Sequence, residues 1–169
     1  MKAKLVVEGK EFDIEINDPK LQELVAPKKQ IGYERMAKGE NYYVNDIYAD
    51  KVCEKTEQNL QINDQRYESA NYYSSKTVAE NNARADMLMR QLRRFAAEHR
   101  GKDIDWKNTE QYKYGIYYNF RDDNLSVYDI YCTRGFGDIS FDSQESAQLA
   151  VDTFHDELIW YFTEYKDSL

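Results

Sequence analysis

The sequence predicts an α+β fold in which small antiparallel sheets pack against two long helices. Two stretches, around residues 75–100 and 142–165, carry apolar residues at helical spacing. The segments before each alternate in hydrophobicity or are rich in tyrosine and β-branched residues. The turns between those segments are short, which favours antiparallel pairing over crossover connections.

The elements follow in chain order. Lys4–Ile16 reads as a hairpin: Leu5 and Val7 on one arm, a turn at Glu8-Gly9-Lys10, then Phe12, Ile14 and Ile16 alternating with acids. Asp18-Pro19 has the form of a helix start, with Asp18 as cap and Pro19 at the first position, leading a short helix through Leu21, Leu24 and Val25. Lys28–Gly39 is a polar connector broken by Gly32 and Gly39. Strands are expected at Tyr42–Val44 and Val52–Thr56, a polar loop at Asn59–Asp64, and an extended segment at Arg66–Tyr73.

The central helix is expected to start at Ser74 or Ser75, both good caps. It buries Ala85, Leu88, Met89, Leu92, Phe95, Ala96 and His99, and ends at Gly101. Beyond the turn carrying Trp106, Tyr112–Phe120, Leu125–Thr133 and Asp138–Phe141 read as three further strands. The last helix opens at Asp142 with Glu145 three residues on, a capping-box pattern. Its core stripe is Ala147, Ala150, Val151, Phe154, Leu158, Phe162 and Tyr165.

Tyr73–Glu80 can be laid over Phe141–Gln148 at a constant offset of 68. This suggests two β-β-β-α units. The expected organisation is therefore 1–30 as hairpin and short helix, 31–102 as the first unit and 103–169 as the second.

Charge is unevenly spread over the 169 residues. Residues 84–102 carry 6 Lys/Arg against 2 Asp/Glu, whereas residues 103–169 carry 5 against 14, and the whole chain is at −8. An acidic chain is a poor general nucleic-acid binder, because phosphate contacts need a positive surface. It suits a basic partner instead. Mean hydropathy of −0.87 and the absence of a long apolar run exclude a helical membrane span. The early charges of the N-terminus do not fit a signal peptide, so a cytoplasmic protein is expected. Cys53 and Cys132 are expected as reduced, partly buried thiols. With His99 and His155 they show no metal-ligand spacing, so neither metal nor cofactor is expected.

The candidate binding residues fall in three groups. Arg90, Arg93 and Arg94 lie at i, i+3, i+4 on the outer face of the central helix, where guanidinium groups can meet phosphates or carboxylates. On the last helix Leu149, Ile159 and Trp160 lie off the core stripe beside Asp152 and Asp156, a pattern that marks either a partner surface or a face covered by another element of the same chain. The turn acids Asp122 and Asp123, with Asp138 and Asp142, could imitate a row of phosphates. Tyr42, Tyr43, Tyr72, Tyr73, Tyr117 and Tyr118 could stack bases, but a tyrosine-rich core edge explains them more simply. No spacing supports a catalytic carboxylate pair. His155 and Asp156 are neighbours on a helix and are not expected to face each other. Gly135-Phe136-Gly137 lacks the setting of a phosphate loop. The residues therefore point to a binding protein, not an enzyme.

The segments IGYERMAKGENYYV (31–44), RYESANYYSSKTVAENNARADMLMRQLRRFAAEHR (66–100) and ELIWYFTEYKDSL (157–169) resemble small proteins carried by prophages and mobile elements of Firmicutes. The resemblance runs from about Lys28 to the end and is most specific over 66–100. Some proteins of this general kind are anti-CRISPR proteins that inhibit Cas9. The resemblance implies a non-enzymatic inhibitor acting in the host bacterial cell, with Cas9 or its guide-RNA complex as partner. It transfers no binding residues. The rival readings are a DNA- or RNA-binding accessory protein using the arginine face, and a phage assembly protein.

Overall fold

A computed structural model of the chain describes residues 2–7, 10–17, 19, 30–49, 51–130, 132–135 and 137–168. Two compact units are present, residues 1–31 and 32–169. The architecture is α+β, with each sheet a two-stranded antiparallel hairpin. Among the described residues no helix is long and apolar enough to cross a membrane.

In the first unit β1 (Lys2–Val7) pairs with β2 (Lys10–Glu15), Leu5 opposite Phe12 and Val7 opposite Lys10. The single apolar face expected of this hairpin is incomplete, since Phe12 is half exposed while Ile16 is buried. The expected Asp18 cap and the helix through Leu21, Leu24 and Val25 lie outside the described residues.

The second unit has two halves of matching plan. In the first, β3 (Asn41–Asp46) pairs with β4 (Lys51–Thr56), α1 (Gln61–Glu68) follows, and α2 (Lys76–Glu98) closes the half. In the second, β5 (Lys113–Asn119) pairs with β6 (Asn124–Ile130), followed by α3 (Gln144–Thr153) and α4 (His155–Thr163). Just before the long helical segment of each half, one aromatic residue bridges back to the first strand: Tyr73 to Tyr43, and Phe141 to Tyr114. Both bridges are reciprocal backbone pairs at 2.8–3.0 Å. Two residues later a serine caps the helix, Ser75 accepting from the Val78 amide and Ser143 from that of Ser146. The third strand expected in each half is thus a single bridge.

Three expectations need correcting. Residues 61–68 are helical rather than loop and extended chain. Tertiary hydrogen bonds hold that helix: buried Asn63 donates to the Tyr42 hydroxyl at 2.8 Å and accepts from the Leu60 amide, and Arg66 donates to the same hydroxyl. Its own apolar residues show no one-sided pattern, so periodicity could not reveal it. The last helix breaks at Phe154, which ends α3 and begins α4. There the Thr153 hydroxyl donates to the Leu149 carbonyl at 2.7 Å, a back-bond that bends helices.

Asp142 is not the cap of α3. Its Oδ2 accepts the amides of Gly101 and Lys102 at 2.7 and 2.8 Å, tying the chain leaving α2 to the start of α3. Burial works against ionisation of Asp142, but these amides outweigh it and hold the carboxyl below its ordinary range. Asp142→Ala should cost about 2 kcal/mol, because two part-buried amides lose a charged, buried acceptor. Denaturant melts of the variant measure this directly, and a loss under about 0.5 kcal/mol would show that the tie contributes nothing.

Leu88, Leu92, Phe95 and Ala96 of α2 meet Phe141, Ala147, Ala150 and Leu158 in the main core. The β3–β4 hairpin is seated by aromatic rings, with Tyr42 stacked on Tyr72 at 3.9 Å. Gly32 sits at φ +92, and a Cβ there would lie 2.6 Å from Val78, so only glycine lets its carbonyl receive the Ser74 amide.

Candidate functional site

The second unit presents two polar surfaces of opposite charge. The acidic one is a groove of about 670 Å³ between the β5–β6 turn and the α3–α4 break, bordered by Asp123, Asp152, Gln148, His155 and Ile159. Asp123 can reach it because the turn places it at φ +53, where its carboxylate accepts the Tyr118 hydroxyl. Asp122 accepts Asn119 Nδ2 in the same turn. Asp152 projects from α3 and accepts Gln148 Nε2 at 3.0 Å. Asp156 stands beside the lining residue His155, fully exposed, and its carboxylate lies 3.0 Å from His155 Nδ1. That contact corrects the expectation that the two do not face each other: both stand in the first turn of the helix that the break creates. The fold thus brings Asp123 and Asp152, drawn from two stretches of sequence, to one groove, with Asp122 and Asp156 next in sequence to its lining residues Asp123 and His155.

Other candidates are placed elsewhere. Of the two readings of Trp160, cover by the same chain is the one seen: it is buried, and the Arg84 guanidinium lies 3.9 Å from the centre of its ring and makes a two-pronged pair with Glu157 at 2.8 and 3.0 Å. Ile159 is half-buried at the groove and Leu149 is exposed. Asp138 lies away from the acidic groove, accepting the Gly135 amide.

The arginines are all exposed but do not act as one face. Arg90 and Arg94 border a shallow hollow with Met87 and Gln91, where Arg94 pairs with Glu98 at 3.7 Å. Arg93 lines a different groove with Arg100, Trp106 and Arg134. Sequence reading passed over Trp106 and Arg134 because they come from irregular chain that no periodicity connects to α2.

An apolar hollow of about 260 Å³ also opens beside Leu88, Met89 and Leu92 of α2, walled by Tyr161 and Phe162 of α4. The tyrosines weighed as base platforms are partly core: Tyr42, Tyr72 and Tyr73 are buried. His99 is exposed at the end of α2, its ring stacked on Phe95. Cys53 is half-buried; Cys132 is exposed rather than partly buried, since it stands beyond the end of β6. Among the described residues no group of three His, Cys, Asp or Glu side chains is placed to hold a metal.

Comparison of the chain with protein-family models, curated proteins and solved structures finds no match.

Proposed function

We propose that this protein is a non-enzymatic binding protein of a mobile genetic element that blocks a host defence nuclease in the bacterial cytoplasm, with a Cas9-type enzyme as first candidate. The acidic groove carries this reading. It sets two carboxylates, Asp123 and Asp152, beside half-buried Ile159 on the most acidic part of the chain. A nuclease of that kind holds guide and target strands in basic channels. An acidic surface with an apolar component matches such a channel in charge and adds contact area.

The test is cleavage by purified nuclease with increasing amounts of this protein. Full inhibition should be reached near one molecule per nuclease. Replacing Asp123 and Asp152 together by lysine should weaken binding by about tenfold or more, since reversed charges turn attraction into repulsion. Undiminished inhibition by that variant would remove the groove from the proposal, and inhibition at far below equal amounts would indicate an enzyme.

A second reading rests on the exposure of Arg90 and Arg93, which lack an ion-pair partner among the described residues: an accessory protein that binds DNA or RNA. Binding to plain duplex that falls steeply with salt would favour it over the first.

A further inference from the structure

The groove that takes Arg93 has the chemistry of an anion site. It measures about 390 Å³ and lies between the end of α2 and residues Arg134, Asp138, Ile139 and Ser140. Arg93, in the last turns of α2, and Arg100, just beyond its end, both line it. Arg134 comes from the connection after β6, its guanidinium carbon 5.2 Å from the centre of the Trp106 ring. That contact restrains a long exposed side chain against a planar surface. None of the three arginines has a carboxylate at ion-pair distance among the described residues.

Two further features complete the site. The Ser140 hydroxyl borders the groove, is shielded from solvent and has no hydrogen-bond partner among the described residues. Buried hydroxyls are almost always paired, and an incoming oxygen acceptor would pair this one. Asp138 also lines the groove and opposes an anion, but its carboxylate already accepts the Gly135 amide and it is one acid in a groove lined by three arginines.

We propose that this groove binds a nucleoside phosphate. The phosphate would be held by Arg93, Arg100, Arg134 and the Ser140 hydroxyl, and the nucleoside would pack along Trp106 and Ile139. Guanidinium groups converging from separate stretches suit a compact group with several charged oxygens, each fork taking two. The volume exceeds that of an inorganic anion and falls in the range of small-molecule sites. The same chemistry fits a free nucleotide or the phosphorylated end of a strand. A duplex is disfavoured, because the positive groove is set in a chain of net charge −8.

Calorimetric titration of the whole protein tests this, with adenosine monophosphate, adenosine, and one oligonucleotide carrying either a 5′-phosphate or a 5′-hydroxyl. Adenosine monophosphate should bind and adenosine should not. The double variant Arg100→Ala/Arg134→Ala should lose about tenfold or more in affinity, while Lys55→Ala, exposed on β4 and outside the groove, should not change it. Ser140→Ala should weaken binding several-fold without lowering the melting temperature, an outcome that a purely structural role would not give. Preference for the 5′-phosphorylated oligonucleotide over the free nucleotide would assign the ligand to strand ends, and the reverse to free nucleotides. No binding of any phosphate at millimolar concentration, or binding unchanged in the arginine double variant, would overturn the proposal. Neither result bears on the acidic groove, whose partner and residues are different.

Discussion

Phe141→Ala is expected to lower stability by about 3–5 kcal/mol. The side chain is 2% exposed, in the core shared by α2, α3 and α4, where it meets Leu88, Leu92, Ala147, Ala150 and Leu158. Truncation removes a whole ring from the point where three helices converge, and the backbone bridge to Tyr114 limits collapse into the void. In a chain of this length the melting temperature should fall by roughly 6–20 °C. Phe120→Ala is the natural comparison: Phe120 is 73% exposed, and its loss should stay within about 0.5 kcal/mol. A Phe141 variant as stable as the Phe120 variant would mean that the two halves do not share a core.

Glu57→Ala should cost about 3 kcal/mol, and the cost should depend on pH. The Glu57 side chain is fully buried and accepts from Arg35 Nε at 2.7 Å, the Tyr72 hydroxyl at 2.9 Å and the Asn59 amide at 2.7 Å. Removing it strands those donors at the base of the β3–β4 hairpin. Burial pushes the Tyr72 phenol up to about 12, so it remains a donor throughout the working range. For Glu57, burial opposes ionisation, but the Arg35 guanidinium, the Asn59 amide and the Tyr72 hydroxyl outweigh it and hold the carboxyl below its ordinary 4.5. A depressed carboxyl contributes stability that is complete above the unfolded value and is lost as pH falls through the folded one. The wild-type protein should therefore lose stability progressively below about pH 4.5, and Glu57→Gln should flatten that acid limb. Chemical denaturation at pH 7 and pH 3.5 compares the two; parallel losses in both proteins would show that Glu57 is not the linked group.

The residues that sequence reading placed well are those whose signal is local. Ser75 starts α2 because its hydroxyl can reach the Val78 amide within one turn, and Gly39 marks a break because few other residues tolerate φ +94. The hairpins at residues 41–56 and 113–130 follow from short turns and alternating chain. Helix α1 left no such trace, since its reason to exist is the Tyr42 hydroxyl some twenty residues earlier. The break at Phe154 was also hidden, because the apolar stripe continues across it.

The amino-acid order by itself determined the α+β class, the two long apolar stripes, and the separation of a basic helix from an acidic final third. Only the tertiary structure decided which charges act together. It moved Trp160 under Arg84, separated Arg93 from Arg90 and Arg94, and gathered Asp123 with Asp152 and Arg93 with Arg134. Periodicity reports which face of one element is apolar, whereas a binding surface is made where side chains of different elements meet, and that meeting is fixed by long-range packing.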